Sequence, residues 1–180
     1  QGEPAVSGDI VVWYDHRNGN YDVYGYNLSS ATEFPICTNS SGQSYPCPDV
    51  SGDIVVWTDY RNGNYDIYGY NLSAAAEFPI CTDPSSQSSP AISGDIVVWV
   101  DQRNGNRDIY GYDLSTSTEF PICTNSSDQN YPAVSGDILV WHDKRHGNGS
   151  IYGYNLSASY EFAICTNHFE QNSPDVSGDV

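Results

Sequence analysis

Asp15 and Asp22 flank Arg17, Asn18 and Asn20, and the set returns as Asp59, Arg61, Asp66 and again as Asp101, Arg103, Asp108. Two carboxylates brought together need a cation between them. Arginine can be that cation, because one guanidinium donates to two carboxylates and pins the chain around them; Arg17, Arg61, Arg103 and Arg145 are accordingly read as structural ion-pair residues. The alternative is Ca2+, with Asp15, Asp22, Asp59, Asp66, Asp101 and Asp108 as candidate ligands assisted by Asn18 or Asn20, since oxygen donors suit a hard ion. The spacing is not that of an EF-hand loop, and the fourth copy carries Ser150 in place of the second acid, so such a site should fail there. No other cofactor is called for.

Catalytic signatures are sparse. There is no G-x-S-x-G, no phosphate-binding glycine loop and no Ser-His-Asp or Cys-His pattern. The residues that break the repeat are Cys47, Arg107, His142, Lys144, His146 and the run His168-Phe169-Glu170, of which His142 and Glu170 are what a hydrolase would have to use. A catalytic centre needs different residues in different roles around one substrate, whereas here each acid and aromatic is reused in every copy. The expectation is a protein that is not an enzyme. Tyr21 and Tyr65, near the hairpin tips, are the candidate contacts for a rival role, a multivalent glycan-binding protein with one weak site per repeat.

Of five cysteines, Cys37, Cys81, Cys123 and Cys165 share one repeat position, and Cys47 lies in a two-residue insertion of the first repeat. Equivalent positions in neighbouring sheets are too far apart to bridge, so Cys37 with Cys47 is the one candidate internal disulfide. The others read as small buried apolar side chains, without metal-ligand spacing. Asn-x-Ser sequons stand at Asn27, Asn39, Asn71, Asn125, Asn148 and Asn155, candidates for glycosylation of an exposed exterior.

Six Lys plus Arg against 23 Asp plus Glu give a formal net charge of −17, which repels polyanions and argues against nucleic-acid or anionic-membrane binding. No stretch approaches the roughly 18 apolar residues of a membrane span, and no signal peptide is visible. Starting at Gln1 rather than Met, the chain reads as processed or excised.

The elements that must carry these residues are repeats. The stretch from Ser7 to Leu28 returns at Ser51, Ser93 and Ser135, and Trp13, Trp57, Trp99 and Trp141 recur every 42 to 44 residues. Each copy predicts a hairpin with a type I′ turn at Asn18-Gly19, repeated as Asn62-Gly63 and Asn104-Gly105. Residues whose numbers sum to 37 then face one another in the first copy: Val11 with Tyr26, Val12 with Gly25, Trp13 with Tyr24, Asp15 with Asp22. One face is bulky (Val11, Trp13, Tyr24, Tyr26) and the other small (Ile10, Val12, Val23 and Gly25, the last recurring as Gly69, Gly111 and Gly153). The bulky face of one copy should pack into the small face of the next, with Trp13, Trp57, Trp99, Trp141 and the four glycines as packing residues.

A short strand precedes each hairpin, and an E-F-P-I-C-T strand follows, whose Pro35, Pro79 or Pro121 places it at a sheet edge. The unit is therefore four strands, and the fold class is all-β: a β-propeller of four blades, approximately 4–47, 48–89, 90–131 and 132–173, with residues 174–180 beginning a fifth.

The run SGDIVVWxDxRNGNxDIYGYNL followed by EFPICT resembles the blades of TolB-like propellers, especially the tandem repeats of methanogen surface-layer proteins. The resemblance covers essentially the whole chain. It implies an extracellular, archaeal cell-surface setting and a scaffold or interaction platform. The expected function is a structural module that binds other surface proteins or its own copies, forming a ring or filament through the unfinished blade.

Overall fold

The computed structural model describes residues 1–40, 47–167 and 169–178. Sixteen strands form four antiparallel sheets, and no helix occurs among the described residues. Blade 1 is β1 (Gly2–Ser7), β2 (Ile10–Asp15), β3 (Asp22–Asn27) and β4 (Thr32–Cys37). Blade 2 is β5 (Asp49–Ser51), β6 (Ile54–Asp59), β7 (Asp66–Asn71) and β8 (Ala76–Cys81). Blade 3 is β9 (Gln87–Ser93), β10 (Ile96–Asp101), β11 (Asp108–Asp113) and β12 (Thr118–Cys123). Blade 4 is β13 (Gln129–Ser135), β14 (Ile138–His146), β15 (Asn148–Asn155) and β16 (Tyr160–Cys165). Strands lie in sequence order in each sheet, so the proline-bearing strand is at an edge, where a missing backbone donor breaks no ladder.

The chain divides into two compact units, Gln1–Pro90 and Ala91–Val180. In the first, Val12, Val23, Ile36 and Cys37 of blade 1 form a core with Val50, Val55 and Trp57 of blade 2. In the second, Val98, Val100, Ile109 and Cys123 of blade 3 pack with Leu139, Trp141 and Tyr152 of blade 4. Both cores set the small face of one blade against the bulky face of the next. Burial on both faces explains why the strand sequence IVVW is continuously apolar rather than alternating.

The hairpin register is as the repeat predicts: Val11 pairs Tyr26, Val12 pairs Gly25, Trp13 pairs Tyr24 and Asp15 pairs Asp22. The turn is different. Strands stop at Asp15 and resume at Asp22, and within the loop Gly19 N donates to His16 O at 3.2 Å. Gly19 has φ 91° while Asn18 is not in the positive region, so the loop is a turn centred on Arg17-Asn18 followed by a left-handed glycine, not a type I′ pair. A loop lengthened equally on both sides keeps the same facing pairs.

Gly25, Gly69, Gly111 and Gly153 are required for a spatial reason. A Cβ built on Gly69 would stand 2.6 Å from Cζ of Phe78, its partner on the edge strand, and 3.1 Å from Cδ1 of Ile80. The benzyl ring lies flat in the space that a side chain would take. Gly69→Ala is expected to cost about 1–3 kcal/mol by overpacking, measured by urea denaturation, and a second change of Phe78→Leu should recover part of the loss.

Residues 174–178 carry no strand pairing among the described residues; Asp179 and Val180, the rest of the expected fifth-blade start, lie outside them. Ser135 Oγ donates to Gly178 O at 3.3 Å.

Candidate functional site

The motif acids and arginine build one clamp per blade. In blade 2, Asp59 ends β6 fully buried; Trp57, two residues earlier on the same face, donates Nε1–H to its Oδ2 at 3.0 Å. Arg61 folds back from the loop, Nε donating to Asp59 Oδ1 at 2.8 Å and Nη2 to Oδ2 at 2.5 Å. Its other edge reaches Glu77 on β8, with Nη1 to Oε1 at 2.6 Å and Nη2 to Oε2 at 3.1 Å. The guanidinium carbon lies 4.1 Å from the centroid of the Tyr68 ring, a cation–π contact. Blades 3 and 4 repeat this as Trp99–Asp101–Arg103–Glu119 over Tyr110 and Trp141–Asp143–Arg145–Glu161 over Tyr152.

The second acid belongs to a separate arrangement. Asn62 Nδ2 donates to Asp66 Oδ2 at 2.7 Å and Asn64 Nδ2 to Asp66 Oδ1 at 2.9 Å. Asn64 also donates to the backbone oxygens of Asp83 and Ser85, tying the hairpin loop to the segment that leaves the blade. The arginine therefore bridges Asp59 to Glu77, and not Asp59 to Asp66. The same correction holds for Arg17, which pairs with Asp15 and Glu33 while Asn18 and Asn20 serve Asp22. Glu33, Glu77, Glu119 and Glu161 are the clamp members that the sequence reading missed. Their signal was present, since each follows its arginine by 16 residues.

This geometry does not fit a Ca2+ ion at the six candidate aspartates. In each of the three pairs the oxygens of the first acid accept from arginine and tryptophan, and those of the second accept from two asparagine amides. Among the described residues no group of three His, Cys, Asp or Glu is placed to hold a metal. Burial works to raise the Asp59 carboxyl, but the bonds from Arg61 and Trp57 outweigh it and hold the group below the usual carboxylate range; Asp143 behaves alike with Arg145 and Trp141. Asp66 is shifted the other way, burial exceeding the help of Asn62 and Asn64.

Where the repeat breaks, blade 4 shows substitution of parts rather than new chemistry. His146 takes the place of the loop asparagine and its Nε2 lies 2.8 Å from Tyr152 Oη, the contact that Asn62 Nδ2 makes with Tyr68 Oη at 3.2 Å. Ser150, buried, faces Asp143. Arg107 Nη1 donates to Asn130 Oδ1 at 3.0 Å. Tyr21 is half-buried, edge-on to Tyr14 of β2 and to His16, and Tyr65 is half-buried against Tyr60; both pack on aromatic neighbours of their own hairpins rather than standing clear of them.

His142 is buried at the position held by Thr58 and Val100 in other blades, and neither ring nitrogen has a hydrogen-bond partner among the described residues. Burial lowers its pKa, Lys144 adds to the fall, and Glu170 and Asp143 oppose it. Glu170 lies in exposed coil, and His168 is outside the described residues. A histidine whose folded pKa is depressed contributes stability that is complete above its unfolded value of about 6.5 and lost as pH falls through the folded one. His142→Val, copying Val100, is therefore expected to flatten the fall in urea midpoint between about pH 7 and pH 5. An unchanged pH profile would show that His142 does not carry that dependence.

Cys37 and Cys47 are thiols, not a disulfide. Cys37 faces blade 2, 3.4 Å from Arg61 Nη2 and 3.9 Å from Asp59 Oδ2, while Cys47 bonds to Glu3. Burial pushes both thiols, and Cys123, up to about 12, so none is a nucleophile at neutral pH. Of the sequon asparagines, Asn27, Asn71, Asn125 and Asn155 accept a backbone N–H two or three residues on, a turn role that Asp113 fills equally well in blade 3. Asn39 is half-buried and Asn148 exposed.

Four-stranded antiparallel sheets of this kind, packed face to face through apolar side chains, are propeller blades. No family model matches the chain, and neither does any curated protein. Among solved structures the chain is similar to TolB from Acinetobacter baumannii, with a TM-score of 0.76 at 18% identity over 97% of this chain and 45% of that one. It is also similar to a puromycin hydrolase in its S511A form with bound PGG (TM-score 0.75, 11% identity, 93% of this chain, 29% of that one). A third is an oligogalacturonate lyase in complex with manganese (0.63, 9%, 86% and 49%). The chain thus spans less than half the length of each, and what is shared is the TolB-like β-propeller fold.

Proposed function

We propose that the chain is a non-catalytic structural and interaction module of an extracellular cell-surface protein. The observation that carries this reading is the repetition of the clamp: the same tryptophan, aspartate, arginine and glutamate meet in every blade and satisfy one another. Groups spent on one another in this way hold loops and edges in place and leave no differentiated set around a substrate. The sequons and the resemblance to methanogen surface proteins support an archaeal surface setting with glycans on the exterior, and the acidic surface supports solubility there. Other surface proteins or further copies of the chain are the proposed partners.

The solved hydrolase and lyase show that propeller blades also occur in enzymes, which makes turnover the decisive assay. The purified chain should neither hydrolyse puromycin nor cleave oligogalacturonate. Turnover abolished by His142→Ala or Glu170→Gln would overturn the scaffold reading. A glycan-binding module is the second reading, favoured by the aromatic pairs Tyr14–Tyr21, at the end of β2 and in the loop that follows it, and Tyr60–Tyr65, in the corresponding loop of blade 2. Glycan-array binding lost in the double variant Tyr21→Ala, Tyr65→Ala would favour it over the scaffold.

A further inference from the structure

Four of the six Lys and Arg residues are spent in clamps, which leaves Arg107 and Lys144 outside them. The repeat places Tyr21, Tyr65 and Gly149 where Arg107 stands, and His16, Tyr60 and Gln102 where Lys144 stands. The second unit brings both cations to one residue. Arg107 N donates to Asp128 Oδ1 at 3.1 Å, and Lys144 N donates to Asp128 O at 3.0 Å. Gln129 N, next in the chain, donates to Arg107 O at 2.7 Å, so the hairpin loops of blades 3 and 4 are laced to one short segment. Arg107 Nη1 donates to Oδ1 of the buried Asn130 at 3.0 Å, which fixes the guanidinium while the residue as a whole stays exposed. Lys144 is exposed too, and neither side chain makes an ion pair among the described residues.

Beside these cations stands an aromatic side chain that the repeat does not require. β13 carries a bulge between Asn130 and Ala133, and Tyr131 within it has φ 52°. Ser89 holds the equivalent place in blade 3 at φ 54°. A bulky side chain is costlier than serine in that region, yet here it is tyrosine, 52% exposed. Its ring lies 6.2 Å from that of His142, which pairs with Asn130 across the ladder. His142 in turn fits because residue 149 is glycine: a Cβ there would stand 2.1 Å from His142 Nε2, whereas blade 2 has Tyr65 at that place. Arg107, Tyr131, His142, Lys144 and Gly149 are therefore departures from the repeat that depend on one another through contacts. The set includes a buried imidazole with both nitrogens unpartnered among the described residues, where blade 3 has the apolar Val100. Packing alone does not favour that exchange, and such exceptions gather where a surface is put to use.

We infer that this corner of the second unit binds a hexuronate residue of an acidic polysaccharide. The inference rests on the reading of the chain as a non-catalytic interaction module and names the chemistry of a partner. Arg107 and Lys144 meet the carboxylate, the guanidinium offering N–H groups already held in place by Asn130. Asp128, bonded to the backbone of both, repels a second anion and accepts hydroxyl protons. The net charge of −17 likewise opposes closely spaced negative charges. What suits the site is one carboxylate flanked by hydroxyls. Tyr131 adds a flat apolar surface for the C–H face of a sugar ring. A hexuronate has the carboxylate, the hydroxyls and the apolar ring face together, and an acidic peptide has only the first.

The test is an NMR titration of the full chain with oligomers of glucuronate, galacturonate and mannuronate, beside the matching neutral hexose oligomers and an oligoglutamate of equal charge. At least one hexuronate should bind, at about millimolar affinity, and its neutral counterpart should bind about tenfold more weakly or not at all. Arg107→Gln and Lys144→Gln should each weaken binding about tenfold, and Tyr131→Ser, copying Ser89, about fivefold. Tyr160→Ser removes an equally exposed tyrosine at the other end of blade 4 and should change nothing. Urea midpoints matching the intact chain show that each variant is folded. No binding of any hexuronate overturns the proposal, as does binding undiminished in the three site variants, equal binding of the neutral oligomers, or equal binding of oligoglutamate. These outcomes leave the scaffold reading standing. Cleavage of the bound oligomer would sink that reading and leave the binding site in place.

Discussion

Trp57→Ala is expected to cost the first unit about 3–5 kcal/mol, the range for removing a large aromatic from a packed core. Trp57 is fully buried in the seam between blades 1 and 2, among Val12, Val23, Ile36, Val50 and Val55. Its ring also stacks on Tyr68 with centroids 6.4 Å apart, and its indole N–H holds Asp59. Alanine would leave a cavity on the apolar side and an unmet carboxylate oxygen on the polar side. Trp57→Phe separates the two, keeping most of the volume and losing the donor, and is expected to cost about 1–2 kcal/mol. Trp13→Ala in this chain is the internal control: the same residue at the same strand position, half-buried rather than fully buried, should be clearly milder. Urea denaturation of the three variants, followed by tyrosine and tryptophan emission, measures the ranking. Equal costs for Trp13 and Trp57 would mean that seam burial is not what stabilises the tryptophans.

The hairpin register was legible because it depends on symmetry about Asn18-Gly19 and on which residues are large, and both are visible in the string. The turn type was not. It is decided by side-chain bonds inside the loop, with Asn18 and Asn20 donating to Asp22, and these compete with the backbone geometry that Asn-Gly prefers alone. The alternation of bulky and small faces was legible for the same reason as the register, and the cores at Trp57 and Trp141 follow it. Glu33 escaped notice because its meeting with Arg17 needs three strands in register, β2 through β4, with the shift in pairing between Val23 and Tyr24. The disulfide expectation failed on direction: sequence spacing brings Cys37 and Cys47 near in the chain, but Cys37 points across the seam at Arg61. His146 was legible as a break in pattern and not as a replacement, since imidazole and carboxamide share a hydrogen-bond reach that their letters do not display.

Removing the clamp cation should be nearly as damaging as removing the tryptophan. Arg61→Met keeps the aliphatic length over Tyr68 but leaves Asp59 buried without its counter-charge, and the expected cost is about 2–4 kcal/mol, somewhat under the range for a fully enclosed pair because Arg61 retains some solvent contact. The pH dependence then distinguishes a broken ion pair from lost packing. In the intact chain the Asp59 carboxyl is held below its ordinary value, so its contribution is complete above the unfolded pKa of about 3.9 and is lost as pH falls through the folded one. With Arg61 gone, burial alone acts and the folded pKa rises above the unfolded one, so the sign reverses. Arg61→Met should then regain stability relative to the intact chain as pH is lowered from neutral toward about 4, where the buried carboxyl takes up a proton. The paired variant Arg61→Met, Asp59→Asn should recover much of the loss at neutral pH, because the amide carries no charge to be met and still accepts from Trp57. If the gap between Arg61→Met and the intact chain were the same at pH 7 and pH 4, the clamp would be a packing element and not an electrostatic one.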